Sequence, residues 1–181
     1  MTTSCLRLMI TPLRHAVFFA AVLAAVPLRA HDLAESFIEA IVRPDQLDLL
    51  ITVGPATALR LIDPAAKPRP LSPETFAQIR ARLQQEGATL FTVTSSKARL
   101  DSLRVEVALT EDKDVMFKVT YPRPPPGLLI FNAAFLNKLG EGFGGIIDAS
   151  DTAGHHLGWD QLSWQNTTLV VVLPAAGAKP K

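Results

Sequence analysis

Apolar and polar residues alternate along most of this chain, and the alternation predicts strands. Between Gln46 and Val53, Leu47, Leu49, Ile51 and Val53 fall on one side, with Asp48 and Thr52 on the other. Period two is the signature of a half-buried strand. Ser36 to Val42 comes before it as a short apolar segment, and Pro44-Asp45-Gln46 supplies turn chemistry between the two. The pair therefore reads as a hairpin, ended by Gly54-Pro55. The clearest alternation comes later. Leu103, Val105, Val107 and Leu109 interleave with Arg104, Glu106 and Ala108; after the polar turn Glu111 to Asp114, Val115, Phe117, Val119 and Tyr121 alternate again. Residues 103–121 form a second hairpin on this reading. Ala88 to Thr94 is a further strand, Leu128 to Phe131 a buried-type run, and Phe135 to Leu139 a helical turn. Gly144 to Ala149, His155 to Trp164 and Thr168 to Leu173 read as three closing strands.

One stretch breaks the two-residue period. Asp63 to Pro70 is a proline-stiffened loop, and Ser72-Pro73-Glu74 then opens a helix. Ser72 can accept from a free backbone N–H, and Pro73 suits the first helical position. Phe76, Ile79 and Leu83 lie at i, i+3 and i+7 on one stripe, with Arg80, Arg82, Gln84 and Gln85 off it, and Gly87 closes the helix. Eight or nine short strands with evenly spaced turns and one inserted amphipathic helix predict a mainly β fold. The expected form is an antiparallel β-sandwich of Ig-like type, with a barrel as the alternative. Trp159 and Trp164 are expected to fill the core between the sheets. Pro122 and Pro125 make a P-x-x-P, either a recognition segment or a crossing from one sheet to the other.

The first thirty residues have a different pattern. Arg7 and Arg14 appear without acids, Ala16 to Val26 is an uninterrupted apolar run, and Ala30 offers a small residue at an exit. These are the marks of a secretory signal peptide. Eleven apolar residues are too few to cross about 30 Å of hydrocarbon, which takes about 20. The expected organisation is a leader at 1–30, one domain at 31–173 and a flexible tail at 174–181. The mature product is then periplasmic or secreted, without a membrane span. Losing Arg7, Arg14 and Arg29 leaves 15 basic against 17 acidic residues, a balance that argues against nucleic acid. Cys5, the sole cysteine, leaves with the leader, so neither a disulfide nor a thiol nucleophile is expected.

Candidate chemistry is thin. Cleavage after Ala30 would bring a free amine and an imidazole together at His31, a pair that suits copper or nickel. A further nitrogen would come from His155 or His156, which face opposite ways if both lie on a strand. His31 can equally be the polar residue after a cleavage site, and Gly154-His155-His156 a turn and strand edge. Asp63 and Glu74 have the spacing of the outer ligands of an EF-hand loop, but Ala65, Lys67 and Pro68 occupy its inner positions, so no calcium is expected. Gly140 to Gly145 matches G-x-G-x-x-G but leads into a strand, which suits a turn better than a dinucleotide site. No G-x-S-x-G, no H-E-x-x-H and no usable Cys-His pair occurs, so an enzyme is the weakest class.

His31-Asp32-Leu33-Ala34-Glu35-Ser36-Phe37 is followed by a strand, by Leu49 to Val53, and then by the loop and helix of Asp63 to Leu83. This order resembles the exported N-terminal region of HupE/UreJ-type membrane proteins. Those begin the mature chain with a small residue and His, then a Ser-containing strand, often an acidic EF-hand-like loop, and a helix. The resemblance spans most of residues 31–173. It implies an accessory role in the envelope, beside nickel or cobalt handling. Family members continue into a bundle of membrane helices; the present sequence stops before one, so transport is not expected of it. The expected function is a non-enzymatic exported domain that binds an envelope or membrane protein and needs no cofactor. The alternative is a copper- or nickel-binding protein built on His31.

Overall fold

The computed structural model describes residues 34–96 and 98–175. Leader, His31 and most of the tail therefore lie outside the described residues. Ten strands and three helices follow one another as β1 (Ala34–Val42), β2 (Gln46–Val53), α1 (Pro55–Ile62), α2 (Pro73–Gly87), β3 (Thr92–Ser95), β4 (Arg99–Leu100), β5 (Arg104–Leu109), β6 (Val115–Pro122), β7 (Gly127–Asn132), α3 (Ala134–Leu139), β8 (Phe143–Asp151), β9 (His156–Ser163) and β10 (Thr168–Leu173). The fold is mainly β, in two sheets. The larger runs β5-β6-β2-β1-β8-β9 and the smaller β10-β7-β3-β4. No helix among the described residues is long and apolar enough to cross a membrane.

The expected hairpins form. β1 pairs antiparallel with β2, Ser36 opposite Val53 and Val42 opposite Leu47; β5 pairs with β6, Val105 opposite Val119. One pairing departs from the antiparallel expectation: β1 and β8 run parallel, Phe37 beside Ile146. Each of these strands already has an antiparallel partner on its other side, β2 and β9, so the two hairpins join through the parallel seam. Glycine makes the seam possible. A side chain at Gly145 would overlap the Ser36 carbonyl, and one at Gly144 would meet the Leu162 carbonyl at 2.8 Å. The G-x-G-x-x-G run thus leads into a strand, as its context predicts.

Both sheets send alternate residues into one core. Leu47, Leu49, Ile51, Phe117, Val119 and Tyr121 come from the larger sheet, and Val93, Leu129, Phe131 and Val171 from the smaller. The proline run carries the chain from β6 in one sheet to β7 in the other. Ser72 Oγ accepts from Thr75 N at 3.2 Å and caps α2 as the sequence implies. Gly87 is the last residue of α2, as the sequence implies, and it also sets the packing: a Cβ there would stand 2.6 Å from Val105 Cγ1 and 3.1 Å from Phe117 Cδ1. It is the point at which the helix rests on the sheet.

Candidate functional site

Three features of the surface carry functional information: the hairpin that holds the two histidines, the outer faces of the two sheets, and a cavity at one end of the larger sheet.

His155 ends the β8–β9 turn and His156 opens β9; both are exposed. Asp151 organises that turn. Its Oδ1 accepts from Ala153 N at 2.8 Å and His155 N at 2.9 Å, and its Oδ2 lies 2.8 Å from His155 Nδ1. Hydrogen bonds from the His155 ring and backbone hold the Asp151 carboxyl below its usual range. His156 Nδ1 lies 2.9 Å from Asp148 Oδ1, close enough for an ion pair but without the alignment of a hydrogen bond. Each ring thus has its own carboxylate, and no cluster of three His, Cys, Asp or Glu that could hold a metal occurs among the described residues. His31 lies outside those residues, but the strand after it is described. Ala34 sits beside Phe143, whereas His156 sits beside Ser150, seven residues further along β8 or about 23 Å.

The outer face of the larger sheet is polar at its centre. Asp48 points outward from β2 and yet is fully buried. Arg43 Nε lies 2.6 Å from its Oδ2 and Lys118 Nζ 3.8 Å, while Gln46 Nε2 and Thr120 Oγ1 donate to Oδ1 at 2.8 and 3.0 Å. Burial opposes ionisation of this carboxyl, but those hydrogen bonds and the Lys118 charge outweigh it and hold it below its ordinary value. Neither tryptophan lies in the core. Trp159 faces outward opposite Asp148 and is 61% exposed; Trp164 follows the end of β9 and is 45% exposed. The phase of β9 turns Trp159 out, since Gly158, Asp160 and Leu162 take its inward positions, and Trp164 lies beyond the end of the strand.

The smaller sheet has a bare aliphatic face. Val170 and Val172 of β10 are 52% and 64% exposed and lie opposite Ile130 and Leu128 of β7. β10 is also an edge strand, paired only with β7. The sequence marks Thr168 to Leu173 as a strand; nothing in it says that the strand ends a sheet.

The cavity, about 450 Å³, opens at the end of the larger sheet near the start of β1. Phe37, Ile146 and Trp164 form apolar walls, and Asp114, Gln161 and Ser36 are among its polar lining. A second cavity, of about 430 Å³, lies at the opposite end beside Arg123, Pro124 and Pro126. There the Arg123 guanidinium donates to the Arg43 carbonyl, tying the proline crossing to the first hairpin.

These features define a mainly-β, two-sheet domain with one uncharged edge strand, β10. No protein-family model matches the chain, and no curated protein matches it.

Proposed function

We propose that this chain is an exported domain of the cell envelope, periplasmic or secreted, that binds a partner protein and performs no chemistry of its own. The partner adds an extended segment to the free edge of β10. One observation carries the reading: three of the four sheet edges bear devices in their own sequence that block strand addition, whereas β10, which lies close beside β9, bears none in its sequence. β5 presents Arg104 and Glu106, paired at 2.9 Å. β4 is two residues long and carries Arg99. β9 has Gly158 and an inward-pointing Asp160, and its pairing with β8 is broken by a register shift. Charge, shortness and irregularity are the usual guards of an edge. β10 reads Thr-Leu-Val-Val-Val-Leu, six residues without charge, proline or glycine. An added strand would gain main-chain hydrogen bonds from the edge and side-chain contact from Val170 and Val172.

The leader pattern of residues 1–30 supports export. The order of β1, β2, the Asp63–Pro70 loop and α2 supports kinship with the exported region of HupE/UreJ-type proteins, and with it an envelope or membrane protein as the partner.

The test joins fractionation to crosslinking. A photoreactive residue is placed at Val172 and, as a control, at Ala108 on the guarded edge β5, in cells making the full precursor. The expected result is a mature chain starting at His31 in the envelope fraction. One partner polypeptide should crosslink at 172, not at 108, and the adduct should vanish with Val170→Lys. Intact precursor in the cytosol, equal adducts at both positions, or an adduct only with a second copy would overturn the reading.

A further inference from the structure

We infer that the cavity at the end of the larger sheet is a binding site for a small organic cation with an apolar body, an amine or quaternary ammonium carried on an aromatic or aliphatic group. The inference stands apart from the β10 edge and would survive its failure.

The walls supply the apolar contact. Phe37 of β1 and Ile146 of β8 are direct neighbours across the parallel seam, 48% and 44% exposed. Trp164, 45% exposed, completes the surface beyond the end of β9. Three large apolar side chains left half in water around one concavity mark a ligand surface, and about 450 Å³ is within the usual range for small molecules. The seam holds the site open. Gly144 and Gly145 contribute bare backbone to the lining because the neighbouring strands come too close for any side chain.

The polar groups give the sign of the charge. Asp114 closes the β5–β6 turn, and its carboxylate has no ion-pair partner among the described residues. Its backbone is fixed: Thr110 Oγ1 accepts from Asp114 N at 3.0 Å, and Thr110 N donates to the Asp114 carbonyl at 2.8 Å. Burial pushes its carboxyl up and the nearby Asp112 adds to the rise, so a cation beside it would relieve both. Ser36 Oγ, in a side chain 2% exposed, also lines the cavity and has no hydrogen-bond partner among the described residues. Among the described residues, no Lys or Arg lines this cavity. Trp164 and Phe37 favour the same charge, since aromatic faces attract ammonium groups.

A matched series tests the inference by calorimetric titration of the purified protein. The probes share a phenylalkyl body and differ in charge: 4-phenylbutyltrimethylammonium, 5-phenylpentanamide and 5-phenylpentanoate. The cation should bind about tenfold tighter than the amide, and the carboxylate weakest. Asp114→Asn should abolish the advantage of the cation and leave the amide unchanged. Trp164→Ala should weaken cation and amide together. In a Trp159→Phe background the cation should alter the fluorescence of Trp164, the remaining tryptophan. Equal binding of the three probes, no binding at millimolar concentration, or an Asp114→Asn protein that still prefers the cation would overturn the assignment. The charge order in the unsubstituted protein decides the matter even if a variant does not fold.

Discussion

The outer faces of the two sheets solve the same problem in opposite ways. Each lies on the side of its sheet away from the shared core. On the larger sheet, one buried carboxylate gathers Arg43, Gln46, Lys118 and Thr120 from β2, β6 and the turn before β2. On the smaller sheet, Leu128, Ile130, Val170 and Val172 form cross-strand aliphatic pairs with no charge among them. The centre of the first face has its hydrogen-bonding capacity used internally and offers little to a partner protein. The second has area to bury and an open edge beside it. The buried polar network and the proposed protein-binding face therefore fall on different sheets, and substitutions should separate them.

The largest effect should come from Asp48→Ala. It removes the acceptor of three hydrogen bonds and leaves two cations facing each other, at a cost of about 3 kcal/mol in denaturant unfolding at neutral pH. The pH dependence gives an independent check. The carboxyl of Asp48 ionises more readily folded than unfolded. Its contribution is therefore complete above the unfolded carboxylate range and is lost as pH falls through the lower folded value. The gap between the unsubstituted protein and Asp48→Ala should close below about pH 4. A gap that persists in acid would show that packing rather than charge holds this face together.

Arg43→Ala should cost less, about 1 kcal/mol, because the guanidinium is 40% exposed and Lys118, Gln46 and Thr120 still serve the carboxylate. Val172→Lys on the other face should change unfolding by no more than about 0.5 kcal/mol, since its side chain already meets water. It should nonetheless abolish crosslinking from a photoreactive residue placed at Val170. If Val172→Lys were as costly as Asp48→Ala, the aliphatic face would be part of the structural core and the contrast between the sheets would fall.

Much of this architecture is legible in the sequence, and the gaps share one cause. Strands with a clean two-residue period, β2, β5 and β6, are where the pattern places them because each has one side in the core. Local signals also mark the cap of α2 at Ser72 and the proline crossing. What escapes is set by partners distant in sequence. α1 begins at Pro55, which reads as the end of a hairpin; the proline is its first helical residue, and Ala58, Leu59 and Leu61 bury one side. Asp48 reads as a solvent-facing strand residue until β6 brings Thr120 and Lys118 beside it. The parallel seam joins residues more than a hundred positions apart, and only the close approach at Gly145 betrays it. The tryptophans look like core by composition, but the phase of β9 turns Trp159 out. An edge is the least legible feature of all, because β10 is distinguished by a second hydrogen-bonded strand that it lacks among the described residues.

The smallest effect tests the inner faces that both sheets share. Tyr121, the one tyrosine of the chain, is buried, and its hydroxyl has no hydrogen-bond partner among the described residues. Burial pushes its phenol up to about 12, against a small opposing pull from Arg99. Replacing an unsatisfied buried hydroxyl by hydrogen removes a desolvation cost without opening a cavity, so Tyr121→Phe should leave stability unchanged or raise it by a few tenths of a kcal/mol. Ultraviolet titration gives the companion measurement, since the phenolate signal comes from this residue alone. It should rise near pH 10 in denaturant and about two units later in the folded protein. The sign follows from the raised folded value: the unfolded chain ionises first, so stability falls once pH exceeds about 10, and Tyr121→Phe should resist alkali better. A folded phenol that titrates with its unfolded value would mean that water reaches the layer between the sheets, and that the core is not the dry common floor on which the two outer faces differ.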